Sequence, residues 1–413
     1  MIRKQAAIKP DVKPDFDRGE DPSRMEPLLL PQSGRGRDEL NDLALRLTSA
    51  SEGFRRSLPG PLRVALAELV RGMNCYYSNL IEGHNTHPVD IERAMNDDYS
   101  KDPTKRNLQL EARAHVQVQR WIDQGGLRGR SVTTESICEI HKRFGELLPR
   151  DLLIVTEAGI GRKLDVIPGE LRREDVQVGR HVPVSPGAVG RFLRRFEEAY
   201  GSLGRLETIL ATAAAHHRLL WIHPFLDGNG RVARLMSHAV FLDALNTNGV
   251  WSVARGLARR VGAYKDHLAN CDARRRNDLD GRGALSEEAL AEFTKFFLEV
   301  CLDQVRFMDE LMQPARLRAR ILLWVEEETR GGALPPKSGQ VMEAVLYRGE
   351  LPRGEVPPLL GIGERQARRV VAALLGRGVL RSESSRAPLL LAFPAATAGR
   401  FMPDLFPDPV RES

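Results

Sequence analysis

The spacing of hydrophobic and polar positions predicts a mainly helical chain. From Asp38 a helical pattern begins with Leu40, Leu43, Leu45 and Leu47. Pro61 opens a second helix with Leu62, Ala65, Leu66, Leu69, Val70 and Met73 on one face. That helix is expected to run to Glu82 and stop at Gly83, a residue type favoured just past a helix end. Further helices are expected over residues 88–98, 104–124, 134–147, 187–201, 205–222, 229–246, 256–271 and 285–314, the third of these with Thr133 or Thr134 as N-cap. Residues 152–186 differ. Ile154, Val155, Val166, Ile167, Val176, Val178, Val182 and Val184 are β-branched and broken by Gly159, Gly161, Gly169 and Gly179, a hairpin pattern.

The ends of the chain read differently. Residues 1–37 are rich in Pro, Gly and charge and predict a flexible tail, with Leu28-Leu29-Leu30-Pro31 docking onto the body. Residues 328–340 (ETRGGALPPKSGQ) predict a linker, so a second domain should begin near Val341. Within it, Val341–Leu346, a short broken element over 353–360 and a helix from Glu364 precede two apolar runs, Val379–Arg381 and Leu389–Leu391, around Ser382–Pro388. This order resembles a winged helix-turn-helix, so that 341–413 read as a winged-helix domain and a tail. Arg365, Gln366, Arg368 and Arg369 would then lie where such domains read a major groove. DNA binding and docking of a protein both stay open.

Composition narrows the class. With 413 residues, 42% of them hydrophobic, the chain can bury a sizeable core and is long enough for two to three domains. Four cysteines with no CxxC pair argue against a zinc ribbon, a thioredoxin-type site and a disulfide-stapled domain, and predict a reducing, cytoplasmic setting. His84 and His87 have no metal-like partners in the sequence, so no zinc is expected. No apolar stretch approaches the ~20 residues that span a bilayer, and the N-terminus lacks the apolar core of a signal peptide. A formal charge of +6 permits anionic partners without separating nucleotides from nucleic acid.

The segment His223-Pro224-Phe225-Leu226-Asp227-Gly228-Asn229-Gly230-Arg231-Val232-Ala233-Arg234 carries the chemistry. A helix ends near Trp221, and an amphipathic helix starts at about Asn229 with Val232, Leu235, Met236, Ala239 and Val240 on one face. A glycine-containing turn opening onto a helix N-terminus presents backbone N–H groups to an anion. Gly228 and Gly230 let a phosphate approach closely. Arg231 and Arg234, three apart, can flank the same anion. Asp227 suits a Mg²⁺ shared with phosphate oxygens, and His223 can take a proton near neutral pH. The implied reaction is attack of a hydroxyl on a nucleotide phosphate.

HPFLDGNGRVAR resembles the signature of the Fic family, HPFx[D/E]GNGRxxR, at every fixed position. The resemblance covers residues 40–305 and implies a Fic-type helical core with a small β-hairpin flap, over 101–327, behind an N-terminal helical region, 38–100. It implies a protein adenylyltransferase that moves AMP from ATP to a Ser, Thr or Tyr hydroxyl of a target protein. His223 would be the base, Asp227 would hold Mg²⁺, Asn229, Gly230 and Arg231 would surround the α- and β-phosphates, Arg234 would meet the γ-phosphate, and Phe225 would anchor the loop. Gly230, where a Doc-type kinase of the family has Lys, favours AMP transfer. Tyr264 falls where relatives place tyrosines near the adenine; a core tyrosine is an equal reading. His216 and His217 precede the motif on a helix, and one is expected in the core with the other in solvent.

Ser78 and Glu82 lie four apart on one helix face, before Gly83. They resemble the [S/T]xxxE[G/N] inhibitory motif of Fic proteins, which implies that Glu82 pairs with Arg234 and blocks the γ-phosphate. In some members the same glutamate serves AMP removal. The flap, Gly161–Pro183, would pair with the target backbone; Pro168–Arg172 reads as a turn within it, and Ile160, Val166 and Ile167 are the candidate docking side chains. Family members of this type also imply a homodimer. The alternative is a de-AMPylating or nucleotide-sensing regulator that binds DNA or protein, and the phosphate nest does not distinguish ATP from another nucleotide or a phosphocholine-type donor.

Overall fold

The computed structural model describes residues 7–8, 15–34, 36–156 and 161–406. Its first part is a layer of helices: α1 (Arg37–Ser57), α2 (Gly60–Ile81), α3 (Pro88–Met95), α4 (Pro103–Asp123) and α5 (Thr134–Glu146). The flap region follows, with β1 (Ala7–Ile8) recruited from the N-terminus and β2 (Ile154–Thr156), β3 (Lys163–Asp165) and β4 (Val176–Gln177) from the chain after α5. Then come α6 (Val189–Tyr200), α7 (Arg205–Ile222), α8 (Asn229–Ala244), α9 (Val253–Arg259), α10 (Val261–Cys271) and α11 (Glu287–Leu311). The expected helix over 256–271 is two, because Arg260 leaves helical geometry at φ −122°, ψ 36°. α7 is buried on nearly every side, as befits a helix at the centre of a bundle. It packs against α8, α6, α11 and α1, while α2 lies between α4 and α9.

Boundary signals in the sequence were met locally. The Thr133 hydroxyl accepts from the Ser136 N–H at 3.1 Å and caps α5. α2 ends at Ile81, and Gly83 takes the left-handed conformation, φ 86°. The hairpin is β2 against β3, antiparallel, with Val155 opposite Leu164. β1 pairs with β4 instead.

Two expectations are corrected. Residues 15–34 are packed where a flexible tail was predicted. Arg18 bonds Asp175 at 2.6 Å, Ser185 donates to Glu20 at 2.9 Å, and Met25 and Leu28 are buried, with the Tyr200 hydroxyl on the Leu28 carbonyl at 2.8 Å. Charge in this segment is used in specific pairs, which composition does not distinguish from solvation. The linker predicted over 328–340 is shorter. Helix α12 (Pro314–Arg330) fills its start, burying Leu317, Ile321, Trp324 and Val325 at helical spacing, and Leu334 is buried after it.

Beyond it lie α13 (Ser338–Arg348), β5 (Glu350–Leu351), α14 (Val356–Leu360), α15 (Glu364–Gly376), β6 (Leu380–Arg381), β7 (Leu389–Leu391) and α16 (Ala395–Phe401). The three strands form one antiparallel sheet in the order β5-β7-β6. Arg365, Gln366, Arg368 and Arg369 are exposed on α15. Residues 402–406, expected as a trailing tail, pack back onto α2, and Met402 and Leu405 are fully buried. Among the described residues no helix is long and apolar enough to cross a membrane.

Candidate active site

The loop between α7 and α8 is built from the inside out. Phe225 is fully buried and stacked on His141 of α5, ring centroids 3.9 Å apart and 2° from parallel. Asn229 then pins the loop to its own anchor: its Oδ1 accepts from the Phe225 N–H at 3.0 Å and its Nδ2 donates to the Phe225 carbonyl at 2.8 Å. The side chain expected to face phosphates is therefore spent inside the loop, and Asn229 is left with its backbone at the first turn of α8. Gly228 caps that helix at φ 83°, a conformation that favours glycine. Asp227 and Gly228 stand partly exposed at the mouth. A cleft beside them reaches Arg231, Glu111, His141 and Phe144.

His223 ends α7 in the left-handed conformation, φ 53°, ψ 62°. Its Nδ1 lies 3.4 Å from the Leu220 carbonyl. Burial, and then the nearby Arg172 charge, push the imidazole down to about 3, so it is neutral at pH 7. Arg172 was expected only as the end of a turn within the flap. It is buried, and its Nε donates to the His223 carbonyl at 2.7 Å. No local pattern marks such a residue; only its place in the flap, folded under the loop, does.

Two further arginines, Arg231 and Arg234, tie the loop to the helices around it. Arg231 lies 3.4 Å from Glu111 of α4 and over the Phe144 ring at 5.0 Å. Arg234 donates through Nε to the Ser78 hydroxyl at 2.8 Å and through Nη2 to Glu82 Oε1 at 2.6 Å. Ser78 and Glu82, on one helix face as their spacing predicted, thus grip one guanidinium. Burial pushes the Glu82 carboxyl up, but the Arg234 charge outweighs it and holds the group below the usual carboxylate range. Gly230 is needed here: a Cβ in its place would collide with Glu82 Oε1 and lie 3.1 Å from Arg234 Nη1. Gly83 follows Glu82 in the turn that ends α2.

Other expected residues lie elsewhere. Tyr264 is buried among Phe293 and His216, and its hydroxyl meets His216 Nε2 at 2.7 Å, so it belongs to the core rather than to an open adenine shelf. His216 and His217 are both buried, where one was expected in solvent. His216 Nδ1 meets Ser237, and His217 Nε2 meets Asp272 at 3.0 Å. Two polar partners let α7 bury both rings without loss of hydrogen bonds. In the flap, Val166 is buried against Val155 and Val176, whereas Ile167 is half exposed. Ile160 lies outside the described residues. Sequence reasoning also missed His141 and Glu111, whose signal is a polar residue at an otherwise apolar helix position.

Residues 131–241, which contain the loop and both of its helices, match the Fic/DOC family. This stretch of the chain is a Fic domain. The chain is similar to the protein adenylyltransferase Fic of Drosophila erecta, 36% identical over 101 residues, and to that of Drosophila willistoni, 37% identical over 127 residues. These matches cover 24% and 30% of this chain and 20% and 22% of the relatives, so the chain spans about a fifth of the length of the curated relatives it matches. The fold is shared with a Fic family protein from Desulfovibrio desulfuricans G20, over 92% of this chain and 98% of that one, at a TM-score of 0.50 and 14% identity. It is shared with Fic-1 from C. elegans over 67% of this chain and 74% of that one, at a TM-score of 0.50 and 16% identity. The helical Fic fold with its small hairpin is thereby common to all three. The Glu82–Arg234 pair joins the Fic domain to α2, which precedes the matched residues.

Proposed function

We propose that this protein transfers AMP from ATP to a hydroxyl of a target protein, and that Glu82 holds it in an inhibited state. The observation that carries the reading is the loop of Gly228–Arg231 at the start of α8, with neutral His223 on one side and Arg234 on the other. His223 takes the proton of a Ser, Thr or Tyr hydroxyl as its oxygen attacks the α-phosphorus, and pyrophosphate leaves. Backbone N–H groups at the start of α8, at Asn229 and Gly230, face the phosphates with the helix dipole behind them. Arg231 neutralises the α- and β-phosphates and Arg234 the γ-phosphate once Glu82 has moved.

Mg²⁺ fits this site through Asp227, a partly exposed carboxylate beside Gly228; a magnesium ion held by one or two carboxylates plus substrate phosphates needs no larger cage. It would supply charge neutralisation at the phosphates. The hairpin β2–β3 and exposed Ile167 suit strand addition by the target. The C-terminal elements from α13 to β7 fit a winged-helix domain in their order, and the exposed arginines of α15 favour a second reading, a regulator that docks on DNA or protein and uses the Fic domain to sense nucleotide. AMP removal at the same site and a homodimer are further expectations of the family resemblance, and a cytoplasmic setting is the expectation of the cysteine pattern.

The test uses ATP labelled on the α-phosphate, with Mg²⁺ and cell lysate as a source of targets. Label on protein is expected with Glu82→Gly, little with the unaltered chain, and none with Glu82→Gly/His223→Ala. Equal labelling with and without Glu82 would remove the inhibitory role. No label in any variant would move the weight to the nucleotide-sensing regulator.

A further inference from the structure

Arg172 is a buried cation with an unusual set of partners. Nε donates to the His223 carbonyl at 2.7 Å, Nη1 to the Glu174 carbonyl at 2.9 Å, and Nη2 to the carbonyls of Val184 and, at 3.4 Å, Ile222. Its own backbone N–H donates to the Pro224 carbonyl at 2.9 Å. These acceptors are backbone carbonyls. Asp175, the acid whose charge acts on it most, is itself bonded to Arg18 at 2.6 Å. Burial draws the guanidinium down to about 10, which leaves it charged at pH 7. Burying a cation without a bonded counter-charge is costly.

What the cation does there is local. Ile222 and His223 carry the last carbonyls of α7, which have no partner within the helix, and a cation is favoured at that end. His223 holds φ 53°, a conformation that costs a non-glycine residue free energy unless its surroundings impose it. The flap runs through Arg172, and the loop carries His223, so one side chain joins the two.

We propose that Arg172 is a positioning residue for AMP transfer, whose buried guanidinium caps α7, locks the backbone of His223 and ties the flap to the base. This rests on the reading of His223 as the base. The charged and titratable groups around the imidazole are Arg172 from the flap, His181 from the segment after β4 and Glu82 from α2. His181 is held by the Trp221 carbonyl at 2.8 Å, and Glu82 is engaged by Arg234. Burial is the first cause that keeps the ring neutral before a target arrives, and Arg172 is the foremost charge that adds to it.

The test places Arg172→Met and Arg172→Lys in the Glu82→Gly chain and reads each in two ways. The first is an NMR titration of ¹⁵N-labelled histidines, which needs no turnover. In Arg172→Met the His223 midpoint is expected to rise by about one pH unit or more, while Arg172→Lys stays with its parent. The second is the pH profile of AMP transfer. Both variants are expected to lose about 100-fold in kcat, as misplacement of a reacting group does, with a much smaller change in KM for ATP, and the acid limb in Arg172→Met follows the NMR midpoint. A His223 midpoint that stays put in folded Arg172→Met, or a loss confined to KM, overturns the proposal. If Arg172→Met does not fold, the split between kcat and KM in Arg172→Lys decides alone. If the Glu82→Gly parent transfers no AMP, the reading of the reaction fails, and the titration still decides whether Arg172 governs His223.

Discussion

The Tyr77 hydroxyl donates to the Leu405 carbonyl at 2.8 Å, joining the last turns of α2 to the end of the described chain. Phe406 stacks parallel to Tyr77 and edge-on to Tyr76, and Arg255 donates to the Asp404 carbonyl at 2.7 Å. Ser78 follows Tyr77 directly, and Glu82 is one turn further on. Earlier on the same helix Glu68 meets Arg381 of β6 at 2.8 Å. The helix that presents Glu82 to Arg234 is thus braced by the C-terminal elements along its length.

Removing residues 402–413 should loosen that brace. AMP transfer is expected to rise several-fold toward the level of Glu82→Gly, and amide hydrogen exchange over residues 76–82 should quicken. Tyr77→Phe, which leaves the Leu405 carbonyl with only the longer Arg255 Nε bond at 3.4 Å and costs about 0.5–1.5 kcal/mol, should act in the same direction more weakly. Unchanged transfer and unchanged exchange in the truncated chain would mean that α2 is held by the Fic domain alone.

Gly230→Ala puts a methyl where the Glu82 carboxylate lies. It should lower stability in the unaltered chain and much less in a Glu82→Gly chain, where the space is free. The two changes are expected to be non-additive by about 0.5–3 kcal/mol in a double-mutant cycle of denaturant unfolding, the usual range for residues in contact. Additive effects would place the carboxylate elsewhere in solution.

Five histidines set the acid limit of the fold. Burial, as the first cause in each, pushes His115, His216 and His223 down to about 3 and His141 and His217 to about 4. In the unfolded chain they titrate near ~6.5. Above that pH neither state binds protons at these rings, and their contribution is complete. As pH falls below it the unfolded chain gains protons that the folded one refuses, so stability is lost progressively toward pH 3–4. Each ring contributes a slope of up to about 1.4 kcal/mol per pH unit. Melting temperature should fall steadily between pH 6.5 and 4.5; a flat profile would show that these rings titrate normally.

Phe225 is an anchor rather than a ligand. Phe225→Ala removes a fully buried ring and its stacking on His141 and should cost about 3–5 kcal/mol in unfolding. Transfer should fall even at temperatures where the protein stays folded, because Asn229 would close the loop around a cavity. Normal stability would contradict the burial.

Much of this protein is local, and the sequence by itself determined it. Apolar residues at helical spacing marked α2, α7 and α8 to within a few residues, since amphipathic periodicity is a property of neighbours along the chain. Gly83 and Gly228 ended and opened helices as their conformational freedom allows, and Ser78 and Glu82 shared a face because four residues nearly complete a turn. The spacing of the loop from His223 to Arg234 was equally readable.

Only the tertiary structure decided which of those side chains meet a partner from elsewhere. It brought Glu82 to Arg234, turned Asn229 inward to Phe225, sank Tyr264 beside His216 and folded Arg172 beneath His223. It also packed residues 15–34 and 402–406, whose composition reads as tail. In each case the deciding term is desolvation: a buried polar group must find its hydrogen bond, and the partner that supplies it lies distant in sequence or at an angle that spacing does not encode.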